Sequence, residues 1–176
     1  RDSRLQSTMR EAQKYVLKQH IQNGRLSETV QQYRTMCARQ ELPDAFLAGI
    51  LDLVGPAFLN AQSPRQLLQL LESSEVRARL REGGAAFSQA YHRTFAQAKR
   101  RSVGSKPPQE LALSELKEAR QTLFRASLHA LRAGEVELFR KCRREELRHG
   151  AEILKLAERE ALDSGLPEDE HDQKDF

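Results

Sequence analysis

Tryptophan is absent from this chain, β-branched residues are few and only two cysteines occur. No apolar run approaches the roughly 20 residues a helix needs to cross a bilayer, so no transmembrane segment is expected. The first residues, Arg1-Asp2-Ser3-Arg4, lack the apolar core of a signal peptide. Cys37 and Cys142 are too few for a disulfide scaffold. They read as small core residues in a reducing compartment, cytoplasmic or nuclear, with a disulfide between them the less favoured alternative. A glycine-rich phosphate loop, H-E-x-x-H, paired C-x-x-C and G-x-S-x-G are all missing. No enzyme, cofactor or metal is expected on these grounds.

What is present points to helix. Leucine occurs 25 times against 14 for valine, isoleucine and threonine together, a bias toward side chains that lose little rotamer freedom in a helix. Hydrophobic residues make up 39% and charged residues 31%, the balance of long amphipathic helices with charged outer faces.

Three successive segments repeat one spacing, i, i+4, i+7, i+11. They are Leu5, Met9, Ala12 and Val16; Leu26, Val30, Tyr33 and Cys37; and Phe46, Ile50, Leu53 and Ala57. Each series predicts one apolar stripe on an α-helix. Asn23-Gly24 and Leu42-Pro43-Asp44 separate them, and Gly55-Pro56 is expected to kink or end the third. Ser63-Pro64 opens a helix carrying Leu67, Leu70 and Leu71, and Gly83-Gly84 marks a turn before Phe87, Tyr91, Phe95 and Ala98.

The fold class read from these signals is all-α, with an N-terminal bundle of five or six short helices over residues 1–99. A basic, proline-containing linker follows at 100–108, then a long antiparallel helical hairpin at 109–162 that turns at Ala133-Gly134. Residues 163–176 read as a disordered acidic tail. Net charge is +4, but the tail contributes −5, which leaves the body at +9. Such a body suits an acidic protein partner, RNA or an anionic surface.

Four features invite a site. Glu146-Leu-Arg-His149 has the Glu-x-x-His spacing of di-iron bundles, with Glu118 upstream. Projection at 100° per residue turns Glu118 away from the hairpin seam, and no second half-site exists. The same projection brings Arg120 inward, and counting from a turn centred near Ala133 sets it opposite Glu146. A structural ion pair between Arg120 and Glu146 is therefore expected to fix the hairpin register. Leu67-Leu-Gln-Leu70-Leu71 has the L-x-x-L-L form of a helix that enters a partner's groove, although core burial accounts equally for three leucines at that spacing. Lys99-Arg100-Arg101-Ser102 has the form favoured by basophilic kinases and makes Ser102 the candidate phosphosite. Arg140-Lys141 with Arg143-Arg144 reads as a solvated, ion-paired face. The functional expectation is a non-enzymatic adaptor or regulatory module that binds a partner helix or peptide. The alternative is a nucleic-acid-binding domain using the basic body.

Overall fold

The computed structural model describes residues 2–165, and the expected acidic tail lies outside the described residues from 166 onward. The described residues are all-helical. In chain order the elements are α1 (Asp2–Gln22), α2 (Leu26–Ala38), α3 (Asp44–Asn60), α4 (Pro64–Leu71), α5 (Ser74–Glu82), α6 (Ala85–Ser102), a single 3-10 turn (Pro108–Glu110), α7 (Leu113–Arg132) and α8 (Val136–Asp163). No helix among the described residues is long and apolar enough to cross a membrane.

The first six helices share one apolar interior. Leu17, Tyr33, Leu47, Leu51, Val54, Phe58, Leu67, Leu71, Val76 and Phe87 are all fully buried in it. α3 is its centre. The spacing expected for this helix is right but offset by one residue: the deepest row is Leu47, Leu51, Val54 and Phe58, with Phe46, Leu53 and Ala57 on its flank. A helix enclosed on most sides has no single apolar stripe to read.

α3 also runs through Gly55-Pro56 instead of ending there. Proline in a helix removes one backbone hydrogen bond, and burial of Val54, Gly55 and Phe58 around it outweighs that loss. Gly55 has a packing role, because a Cβ at this position would meet Thr94 Cγ2 of α6 at 3.2 Å.

Two sets of buried polar contacts tie helices and one connection of this bundle together. The Tyr33 hydroxyl donates to the Leu47 carbonyl at 3.1 Å and the Tyr91 hydroxyl to the Leu71 carbonyl at 2.9 Å. Arg79 of α5, itself buried, donates to Asp44 at 2.8 Å and to the carbonyls of Arg39 and Leu42. It thereby satisfies the backbone of the α2–α3 connection, where no helix can. Asp44 also accepts from the Gly84 N–H at 2.7 Å, and that bond, with Arg79 beside it, holds its carboxyl below the usual range.

α6 joins the bundle to the hairpin. Its Phe87, Ala90, Tyr91 and Ala98 belong to the bundle interior. A second row on the same helix meets α7 and α8. Gln89 donates to the Ala133 carbonyl, Arg93 pairs with Glu135 at 3.3 Å, and Arg100 makes a two-pronged pair with Glu145, 2.7 Å at its closest. Ala96 is fully buried in the same row, at helical spacing. Opposite it, α7 presents Leu116, Ala119, Leu123, Ala126 and Ala130, and the alanines let the two helices approach closely. The hairpin thus docks along α6.

The basic segment expected as linker over 100–108 starts later. Arg100, Arg101 and Ser102 are the last residues of α6, where cations favour the negative end of the helix dipole. The irregular stretch is 103–107, with Gly104 at φ +84° reversing the chain.

Candidate interaction site

The expected site residues separate on folding. Leu67, Leu70 and Leu71 are 0%, 1% and 0% exposed. The leucines of the L-x-x-L-L helix face the bundle interior, and presenting them to a partner would empty the core. Ser102 is half-buried at the end of α6, with its hydroxyl donating to the Lys99 carbonyl at 2.6 Å. The proposed phosphosite is therefore the end of a helix, and not part of an extended segment.

The Arg120–Glu146 pair does not form. Glu146 is buried on α8 and takes Arg143 of the same helix, one turn ahead. Arg120 is exposed and lies one turn farther along α8, over Gly150, where a Cβ would stand 3.8 Å from its Nε. The turn occupies Ala133, Gly134 and Glu135, so its centre falls beyond Ala133. Any error in that centre counts twice across a hairpin. Glu118 is exposed and lines a cleft on the α6 side of α7, remote from the seam that holds Glu146.

Displacing the pair opens a groove on the outer face of the hairpin. Lys117, Arg120, Gln121 and Phe124 of α7 line it on one side, and Glu146 and Ile153 of α8 on the other. It encloses about 520 Å³. Phe124 is 43% exposed and carries the Arg143 guanidinium 5.9 Å from its ring centre. Leu128 and Leu131 continue the same α7 row toward the turn, both exposed. Neither Lys117 nor Arg120 has an ion-pair partner among the described residues. The groove therefore combines an apolar strip with a cationic rim.

Two histidines meet where the hairpin docks. His92 and His129 place their Nδ1 atoms 2.9 Å apart with the rings stacked, and Phe95 covers His129 at 4.1 Å between centroids. One ring must donate and the other accept, so the accepting ring is neutral and the two cannot both be protonated. Burial, then His92 and the cations Arg132 and Lys99, lower His129 to about 4. Burial lowers His92 as well. Their 37-residue separation carries no motif by which the sequence could pair them. No group of three or more potential metal ligands converges among the described residues.

Both cysteines are free and buried. Burial pushes the Cys37 thiol up to about 12 and the Cys142 thiol up to about 11, so neither is a nucleophile at neutral pH.

No family model, no curated protein and no solved structure matches this chain.

Proposed function

We propose that this chain is a non-enzymatic interaction module, of adaptor or regulatory type, whose α7–α8 groove seats an acidic amphipathic helix or peptide. The observation that carries the reading is the groove itself. Phe124 and Ile153 offer an apolar strip the width of one helix face, while Lys117 and Arg120 stand on its rim without acidic partners among the described residues. An occupant that covers the strip and carries carboxylates at its edge satisfies both features. An aromatic at the centre of such a strip supplies the anchor on which affinity depends.

The test is titration of the full chain with a designed acidic amphipathic peptide, against the same peptide with its acids replaced by lysines. The acidic peptide should bind and the basic one should not. Phe124→Ser is expected to weaken binding by more than about tenfold, the cost of an anchor residue of about 2 kcal/mol. Arg120→Glu should weaken it further, with an effect that shrinks as salt rises. Equal binding of both peptides, or no effect of Phe124→Ser, sinks the proposal.

Nucleic acid is the second reading, supported by the +9 body. It requires affinity for generic RNA that falls steeply with salt.

A further inference from the structure

A second cleft, on the adjoining face of α8, gathers cations from three places in the chain. Arg100 and Arg101 end α6, Lys106 comes from the irregular 103–107 stretch, and Arg148 comes from α8, with His149 beside it in the wall. Leu59 and Pro64, on either side of the α3–α4 connection, close its other wall, and the cleft encloses about 450 Å³. The folding of the chain explains the convergence. Gly104 at φ +84° reverses the chain after Arg101 and carries Lys106 back over the end of α6. Glu145, Arg148 and His149 share one face of α8 by their i, i+3, i+4 spacing.

The charge of the cleft is uncompensated. Its one acid, Glu145, is neutralised by the two-pronged pair with Arg100. Arg101, Lys106 and Arg148 have no ion-pair partner among the described residues. His149 adds an independent sign of a missing partner. It is 6% exposed, its Nδ1 is 2.7 Å from the Glu145 carbonyl and donates to it, and its Nε2 is buried with no hydrogen-bond partner. Buried polar atoms are nearly always satisfied; with Nδ1 donating, Nε2 of a neutral ring is an acceptor, so this orphaned nitrogen marks a place for a hydrogen-bond donor such as a ligand hydroxyl.

We infer that this cleft binds a small polyanion carrying two or more phosphate groups. Three free cations exceed what one phosphate monoester needs. No phenylalanine, tyrosine or tryptophan lines the cleft, and its one imidazole, His149, is buried, so a stacked nucleobase finds no open platform there. A phosphorylated cyclitol or sugar matches both the charge and the volume. The same phosphates could come from a soluble metabolite or from the headgroup of a lipid. Such a ligand bridges α3–α4, the 103–107 stretch and α8, and so fastens the hairpin to the bundle.

The experiment is calorimetric titration of the full chain with inositol hexakisphosphate. A parallel arm uses phosphatidylcholine vesicles with and without phosphatidylinositol bisphosphate. Saturable one-to-one binding that raises the melting temperature is expected. The double change Lys106→Glu and Arg148→Glu should weaken it by at least about tenfold, as loss of two phosphate contacts does. The control double change Arg125→Glu and Arg159→Glu alters net charge equally, outside the cleft, and should leave affinity within about twofold at physiological salt, where distant charges are screened. Circular dichroism of each variant verifies the fold. Binding to the soluble probe alone, or to it and the bisphosphate vesicles alike, supports the cleft and assigns the source of the phosphates. Absence of saturable binding overturns it. So does equal loss in the two double variants, which would mean diffuse attraction to a basic surface. Tighter binding of an RNA homopolymer, weakened equally by both pairs, also overturns it in favour of a nucleic-acid surface.

Discussion

Glu146 is buried on α8, and Arg143, one turn away and half-exposed, folds over both its carboxyl group and the Phe124 ring. A buried carboxylate that loses its only cation becomes costly, whereas losing both partners together is much cheaper. Arg143→Ala is therefore expected to lower unfolding stability by about 1–3 kcal/mol in urea titrations, the cost of leaving a buried acceptor unpaired. Arg120→Ala should change it by less than about 0.5 kcal/mol, the range of an ordinary surface substitution. Adding Glu146→Leu to Arg143→Ala should restore part of the loss. A larger effect from Arg120 would return that residue to the pair.

The histidine contact gives a second residue-scale outcome. His129 titrates near 4 in the folded chain and His92 below its ordinary value, while unfolded histidines titrate near 6.5. Both folded values are depressed, so between those limits the unfolded chain binds more protons. Stability is then fully present above about pH 6.5 and declines as pH falls toward 4, by at most about 3 kcal/mol for His129 before solvent screening reduces it. Thermal melts across that window should show the decline, and His129→Phe should flatten it. A wild-type melting temperature that stays level from pH 7 to pH 4.5 would contradict the contact.

At the scale of elements, α4 and α1 are instructive in opposite ways. α4 has the leucine spacing of a docking helix and is instead a core helix, with four leucines at or below 9% exposure. Leu67→Ala should consequently cost about 2–4 kcal/mol in chemical denaturation, by lost burial and the cavity left behind. Where the variant remains folded, affinity for the acidic peptide should be unchanged. A selective loss of binding with no loss of stability would reinstate the helix as a docking element. α1 carries the cleanest of the three predicted stripes, yet Leu5, Met9 and Val16 are 63%, 47% and 45% exposed. The contact is made one position over, through Leu17 with Ile21 and Gln13 half-buried. Periodicity shows that a helix has an apolar side but not which neighbour covers it, because coverage depends on where the next helices run.

For the molecule as a whole, α6 is the shared wall between the bundle interior and the hairpin, and Ala96 lies fully buried in its hairpin-facing row. Ala96→Leu inserts volume where α7 contributes mainly alanine, and overpacking of this kind costs about 1–3 kcal/mol. Hydrogen exchange should then quicken in α7 and α8 while α3 and α4 keep their protection. Uniform quickening would mean that bundle and hairpin unfold as a single unit.

The sequence alone determined the helical class, because leucine-rich 3.6-residue periodicity and turn residues such as Gly24, Pro43 and Gly134 act over a few neighbours. A glycine between two long amphipathic runs also marks a turn, and Gly134 lies at φ +73° between α7 and α8. Tertiary structure decided everything that depends on residues far apart in the chain. It buried Leu67, Leu70 and Leu71, moved Arg120 one turn from Glu146, set His92 against His129, and collected Arg101, Lys106 and Arg148 into one cleft. The reason is physical. A helix's own pattern is written in local spacing, but its rotation and register against its neighbours come from packing the whole interior. An offset of one residue there turns each side chain by about 100°.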